Sequence, residues 1–136
     1  MHILVIDGQG GGIGKQLVEE IRKALPEVSI TAVGTNSIAT SAMIKAGADN
    51  GATGENAVIV GCRSADIIAG PMGIVIADSL LGEITPAMAA AVGQSPALRI
   101  LLPVNRCKNS IIGIADMDIA TMIKKAVEEI KKTAQN

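Results

Sequence analysis

The chain has 136 residues, of which 49% are hydrophobic and 18% are charged, and its formal net charge is −1. This composition predicts a single folded domain over residues 1–136, with enough apolar side chains for a substantial core. The absence of Phe, Tyr and Trp and of any basic block argues against a nucleic-acid-binding protein, which needs stacking platforms and positive charge.

The first half of the chain alternates strands and helices. Residues 2–6 and residues 28–33 form nearly continuous apolar runs, which are typical of strands buried on both faces. A helix is predicted between them, because apolar side chains recur at helical spacing at Ile13, Leu17, Val18, Ile21 and Leu25. A second helix is predicted to be capped by Asn36 or Ser37 and to end at Gly47.

The middle of the chain has a less regular pattern. Residues 48–54 are rich in turn formers, and residues 55–62 fit either a short helix or a strand. Residues 66–69 predict a strand that is followed by a glycine-proline loop containing Gly70. The Thr-Pro pair at 85–86 predicts a helix start, because threonine caps a helix and proline fits its first position.

The last third of the chain is predicted to complete the sheet. Residues 99–104 are predicted to form a strand and residues 110–114 an antiparallel edge strand beside it. A final helix is predicted to begin at Asp116 or Asp118. The alternation of strands and helices predicts a Rossmann-like three-layer α/β domain. Its sheet is expected to have four or five mostly parallel strands.

The two cysteines, Cys62 and Cys107, have no metal-binding or redox spacing, and no metal site is predicted. The longest uncharged stretch near the middle, residues 67–77, is too short and too interrupted to span a membrane. No leader pattern is evident at the first residues. We expect a cytoplasmic protein without a membrane partner. The low charge and high aliphatic content suit a homo-oligomer.

Five glycines lie in residues 8–14, between the first strand and the first helix. The first N–H groups of a helix lack intrahelical partners and carry partial positive charge, so a phosphate can dock there if no side chain intervenes. The alternative is a tight turn whose glycines serve close packing. The predicted phosphate site comprises Gly8, Gln9, Gly10, Gly11, Gly12, Ile13, Gly14 and Lys15. Lys15 either contacts the phosphate or is solvated.

The glycine spacing fits neither G-x-G-x-x-G nor the P-loop. The stretch DGQGGGIG resembles the T-G-x-x-x-G-I-G turn of short-chain dehydrogenases/reductases, with Asp7 in place of threonine. In that family the glycines let the cofactor pyrophosphate approach the helix, and the matching positions are Gly8, Gly12, Ile13 and Gly14. The resemblance implies a binding mode without the reaction, because the chain has no tyrosine for the family's Tyr-x-x-x-Lys pair.

The end of the second strand is where a dinucleotide-binding domain selects its ribose. A carboxylate there accepts from the 2′-hydroxyl of NAD, but Gly34, Thr35, Asn36 and Ser37 include no acid. The three polar residues can donate to a 2′-phosphate, and Lys15 can add charge. If a dinucleotide binds, the sequence therefore favours NADP over NAD. A mononucleotide or another phosphorylated small molecule is equally allowed.

Further candidate residues follow later predicted strands. Gly70 and Arg106 are expected near the ligand crevice, which lies at the carboxyl ends of the strands. Arg106 binds a ligand anion or lies at the surface or in a subunit contact. Cys107, between two basic residues, is a reactive thiolate or an inert cysteine. Asp78 and Glu83 are either acid-base groups or solvated carboxylates.

Several motifs together resemble a family of short bacterial proteins that carry a domain of unknown function. They are IDGQGGGIGK, GTN-x-x-ATSAM-x-KAGA, GATGENA, GP-x-G, LGEITP and NRC. The resemblance covers nearly the full length and implies a Rossmann-like fold, without a particular activity. The leading hypothesis is a nucleotide-binding protein in a sensing or accessory role. The alternatives are a small enzyme whose site is completed across a homodimer, and a structural subunit without a ligand.

Overall fold

The structure is a computed structural model that describes residues 1–104 and 107–136. Strands and helices alternate through most of this part of the chain. The strands are β1 (His2–Asp7), β2 (Ser29–Gly34), β3 (Asn50–Thr53), β4 (Ile67–Pro71) and β5 (Leu98–Leu102). The helices are α1 (Gly12–Ala24), α2 (Ser37–Lys45), α3 (Glu55–Ser64), α4 (Pro86–Gln94) and α5 (Ile119–Ala134), and a short 3₁₀ helix spans Met72–Val75.

The five strands form one sheet in the order β3-β2-β1-β4-β5, and every neighbouring pair is parallel. The predicted α/β class with a parallel sheet is therefore confirmed. The chain builds outward from β1 to β3, then crosses over to β4 on the other side of β1 and continues to β5. The strand order thus reverses between β1 and β4, which is where open α/β sheets form a crevice at their carboxyl ends.

Helices cover both faces of the sheet. Ile3 and Val5 of β1 pack in one core cluster with side chains of α1, α2 and α5. Leu4 and Ile6 pack in a second cluster with side chains of α3 and α4. Because successive side chains of a strand point to opposite faces, a strand covered on both sides has no polar face. This is why β1 is a continuous apolar run.

Local signals account for most helix boundaries. Thr85 caps α4, since its side chain accepts a hydrogen bond from the N–H of Met88 at 3.1 Å, and Pro86 occupies the first helical position as predicted. Asn36 caps α2 by accepting from the N–H of Ala39 at 2.9 Å. The ambiguous residues 55–62 belong to α3.

One strand was not predicted, and one prediction of a strand was wrong. The turn-rich segment contains β3, an edge strand whose four residues are all exposed. It is anchored next to Asp49, whose carboxylate accepts from the N–H of Ile30 and from Arg22. Residues 110–114 are not a strand, and Gly113 has a φ of 88° that extended backbone does not adopt. Within the described residues, β5 therefore has no strand on its outer side.

Candidate functional site

Three connections meet at the carboxyl edge of the sheet, beside the point where the strand order reverses. The glycine loop, residues 8–11, follows β1 and leads into α1. Residues 35–36 follow β2 and lead into α2. The β4–α4 segment, residues 72–85, follows β4 and contains the 3₁₀ helix and several turns. Hydrogen bonds join all three, so their geometry defines the candidate site.

Three of the five clustered glycines are explained by packing inside the chain. A Cβ at Gly8 would lie 2.7 Å from the hydroxyl oxygen of Thr35. Gly11 has a φ of 74°, and a Cβ there would lie 2.7 Å from the Cα of Ala39. A Cβ at Gly14 would collide with Met43 of α2. These glycines let α1 and the glycine loop lie close against β2 and α2. At these three positions the structure therefore fits the alternative of a tight turn whose glycines serve close packing.

The other two glycines, Gly10 and Gly12, are different. Both are exposed, and a Cβ at either would meet no atom within 4 Å. Neither has a positive φ. Within the described residues, neither N–H group donates a hydrogen bond. Neither packing nor backbone conformation therefore accounts for the missing side chain at these positions.

Asp7, the last residue of β1, fixes the shape of the glycine loop. Its buried carboxylate accepts hydrogen bonds from the N–H of Gly8 at 2.8 Å and of Gly14 at 2.7 Å. Burial raises the pKa of Asp7, against the lowering effect of these N–H groups, and the nearby charge of Glu83 raises it further. Asp7 thus holds the first turn of α1, while the N–H of Gly12 has no acceptor in the described residues.

Glu83 lies between the glycine loop and the end of β2. Its Oε1 atom accepts three hydrogen bonds, from the N–H of Gln9 at 3.0 Å, the hydroxyl of Thr35 at 2.6 Å and the side-chain amide of Asn36 at 2.7 Å. These donors lower the pKa of Glu83, led by the hydroxyl, so the carboxylate is ionised at neutral pH. The sequence did not predict this position, because the partners lie far from Glu83 in the chain.

The β4–α4 segment holds Glu83 in place with an unusual backbone. Four of its residues have positive φ, namely Asp78, Leu80, Leu81 and Gly82, at 66°, 54°, 57° and 89°. Three of these are not glycine, and such backbone costs free energy and persists only where the surroundings enforce it. Leu80 and Ile84 are buried on either side of Glu83 and anchor the segment to the core. Leu81, at the tip, is 97% exposed.

Lys15 and Ser37 line a groove of about 600 Å³ between α1 and α2. Lys45 lies in the same groove, and within the described residues neither lysine forms an ion pair. The groove therefore adds positive charge beside the first turn of α1.

Packing inside the chain also explains two further predicted residues, Gly34 and Gly70. Gly34 is buried and packs against Thr40 of α2, so its missing side chain has an internal cause. Gly70 is not in a loop as predicted, because β4 continues to Pro71. A Cβ there would collide with the carbonyl oxygen of Ile6, so close packing of β4 on β1 explains this glycine. Arg106 lies outside the described residues.

The cysteines also differ in their surroundings. Cys62 is buried in α3, and burial raises the pKa of its thiol to about 11, which keeps it protonated. Cys107 is exposed in a turn and has a φ of 50°. The interpretation of Cys107 as a reactive thiolate stays a prediction.

A family model described as a domain of unknown function, DUF3842, matches residues 2–135. The chain belongs to the DUF3842 family. The match confirms the resemblance to a family of this kind over nearly the full length. A search of the curated proteins found no match.

Among solved structures, the DUF3842 chain is similar to a dodecameric FMN-dependent UbiX-like decarboxylase from Escherichia coli O157:H7. The TM-score is 0.45 and the sequence identity is 14%, over 100% of this chain and 96% of that chain.

The candidate site of this DUF3842 chain is built from hydrogen-bonding groups and charges. In residues 1–104 and 107–136, no group of three or more His, Cys, Asp or Glu residues is arranged to hold a metal ion. No helix in that part of the chain is long and apolar enough to cross a membrane. In the described residues, the site offers the N–H groups of Gly10 and Gly12, which have no acceptor there, together with Lys15 and the ionised carboxylate of Glu83.

Proposed function

We propose that this DUF3842 protein binds a nucleotide, whose phosphate docks on the N–H groups of Gly10 and Gly12 at the start of α1. The observation that carries the proposal is the difference between these two glycines and the other three. Gly10 and Gly12 face open space and their N–H groups have no acceptor in the described residues. A Cβ at these positions would obstruct only something that approaches from outside.

The electrostatics at this end of α1 support an anion. The start of a helix carries partial positive charge, and unpaired N–H groups direct it at a ligand. Lys15 is exposed on the first turn of α1 and without an ion pair in the described residues. Asp7 and the packing of Gly8, Gly11 and Gly14 hold the loop rigid, so little entropy would be lost on binding.

The topology favours a nucleotide over a bare phosphate. The glycine loop lies beside the reversal of strand order between β1 and β4, where doubly wound sheets hold nucleotides. Residues 35–36 and the β4–α4 segment form the neighbouring walls, with polar groups for a sugar.

The absence of aromatic residues makes the test direct. Because the chain contains no Phe, Tyr or Trp, near-ultraviolet absorbance of the purified, nuclease-treated protein reports a bound base almost alone. We expect an adenine-type band and a nucleotide, identified by mass, in the acid-soluble fraction. Weaker ligands are tested by calorimetry with ADP-ribose, NAD and AMP.

Two glycine variants assign the binding to the loop. Gly12→Ala and Gly10→Ala should fold normally, since a Cβ fits at both, yet lose the ligand. Gly93→Ala is the matched control, because Gly93 in α4 also faces open space but lies in a different part of the fold. A folded Gly12→Ala variant with unchanged affinity would contradict the proposal, as would a wild-type protein that binds none of the probes at millimolar concentration.

A homo-oligomer remains part of this proposal. Leu81 projects almost fully exposed from the segment that also carries Glu83, next to the candidate site. A second copy packed on Leu81 would lie beside the bound nucleotide. This observation favours, as a second candidate function, an enzyme whose site is completed by its partner.

A further inference from the structure

We propose that Glu83 selects the ribose of the bound nucleotide: it accepts a hydrogen bond from the 2′-hydroxyl and excludes a 2′-phosphate. This inference rests on the proposed nucleotide function and names the ligand class more narrowly, as a ribonucleotide with a free 2′-hydroxyl.

The position of the Glu83 carboxylate carries the inference. Its Oε1 contacts Gln9, in the loop after β1, and Thr35, directly after β2. Dinucleotide-binding sheets place an acidic side chain in this region, at the end of the second strand, to accept from the ribose. The strand itself supplies no acid here, because β2 is followed by Thr35 and Asn36. Glu83 brings the carboxylate to the same place from the β4–α4 segment.

The second carboxylate oxygen is available to a ligand. Within the described residues, all three hydrogen bonds to Glu83 go to Oε1, and none goes to Oε2. An ionised carboxylate only accepts hydrogen bonds, so it suits a sugar hydroxyl as its partner.

The same geometry is unfavourable for a 2′-phosphate. The hydroxyl of Thr35 and the amide of Asn36 were expected to donate to that phosphate, but both already donate to Glu83. A phosphate there would also lie beside an ionised carboxylate, and like charges at such distances repel strongly where water is partly excluded. The preference for NADP over NAD rested on the lack of an acid at this position, and the fold supplies one.

The protein also holds Glu83 rigidly, as recognition of a ribose requires. Leu80 and Ile84, on either side, are 6% and 1% exposed. The N–H of Asp78 donates to the carbonyl of Ile84 at 2.7 Å and closes the turn. The positive φ values between these residues persist only because such contacts enforce them.

The test compares ADP-ribose with 2′-phospho-ADP-ribose by calorimetry. We expect the wild-type protein to bind ADP-ribose about tenfold more tightly or better, the factor expected of one hydrogen bond to a charged group. In Glu83→Gln this ratio should fall about tenfold, mainly through better binding of the 2′-phosphate. Asp78→Asn is the control, because it also removes one negative charge from the β4–α4 segment. The Asp78 side chain forms no hydrogen bond with Thr35 or Asn36, so this variant should keep the wild-type ratio.

The outcomes separate this inference from the proposed function. Equal or tighter binding of the 2′-phosphate by the wild-type protein would overturn the role of Glu83 while leaving the nucleotide site intact, and this measurement needs no variant. A ratio unchanged in a folded Glu83→Gln protein would do the same. Two other outcomes would instead overturn the phosphate site itself. The first is that Gly12→Ala leaves the binding of both probes unchanged, and the second is that the wild-type protein binds neither probe.

Discussion

The Oε1 atom of Glu83 lies 2.6 Å from the hydroxyl of Thr35, and this hydrogen bond joins two connections that are 48 residues apart in the chain. The same oxygen also accepts from the backbone of the glycine loop. One carboxylate thus holds together the ends of β1 and β2 and the start of α4. Glu83 should therefore affect stability as well as ligand selection.

Replacing Glu83 with alanine should lower the free energy of unfolding by about 1 kcal/mol, because three donors lose a shared acceptor but regain water at this partly exposed position. Urea denaturation of the ligand-free protein measures the change. Glu27→Ala is the matched control, since Glu27 is exposed in a turn, and it should leave stability unchanged. An equal loss in both variants would contradict a joining role for Glu83.

The contributions of Asp7 and Glu83 to the free energy of unfolding should depend on pH in opposite directions. Burial raises the pKa of Asp7 above its ordinary value of 3.8, so the native state holds this proton more tightly than the unfolded chain. The contribution of Asp7 is then fully present below pH 3.8 and is lost as pH rises through the native pKa. The pKa of Glu83 lies below its ordinary value of 4.5, so its contribution is present above pH 4.5 and is lost as pH falls.

Two isosteric variants measure these contributions separately. The difference in unfolding free energy between wild type and Asp7→Asn should shift against the wild type as pH rises from 3.8. The difference between wild type and Glu83→Gln should shift against the wild type as pH falls below 4.5. Urea titrations across this range provide both curves. Slopes of the same sign would show that the two carboxylates are not in the environments described.

Elements with a local cause were predictable from the sequence. The apolar run of β1, the helical spacing of α1 and the Thr85-Pro86 start of α4 each depend on residues next to one another, and each is confirmed. The strand β3 was missed because Asn50–Thr53 is small, polar and exposed, so its conformation comes from pairing with β2. The pairing of β3 with β2 cannot be predicted from the periodicity of the sequence.

Only part of the candidate site was predictable, because the rest depends on contacts between residues that are distant in the sequence. The glycine cluster was evident, but the division between packed and outward-facing glycines depends on Ala39 and Met43, in a helix that starts 23 residues after Gly14. Glu83 carried no local pattern that distinguished it from a solvated carboxylate. Its role depends on a turn whose backbone values the sequence does not specify, since only Gly82 among the positive-φ residues is a glycine.

The division of the glycines predicts different effects on folding. Gly11→Ala should lower the free energy of unfolding by about 2 kcal/mol or more, because the new Cβ meets the backbone of α2 and the φ of 74° is strained for alanine. Gly10→Ala should change it by less than about 0.5 kcal/mol, as for other surface sites. Urea denaturation measures both. Similar effects of the two variants would contradict this division.

Leu81 should reveal whether a second copy covers the β4–α4 segment. Asparagine tolerates a φ of 57° better than leucine, so Leu81→Asn should not destabilise the monomer. If Leu81 lies in a homo-oligomer interface, this variant will lower the molar mass measured by light scattering after gel filtration. Ile112→Asn is the control, because Ile112 is 92% exposed in the connection between β5 and α5, outside the β4–α4 segment, and it should keep the wild-type mass. A wild-type protein that elutes as a monomer, or an oligomer unaffected by Leu81→Asn, would exclude this interface.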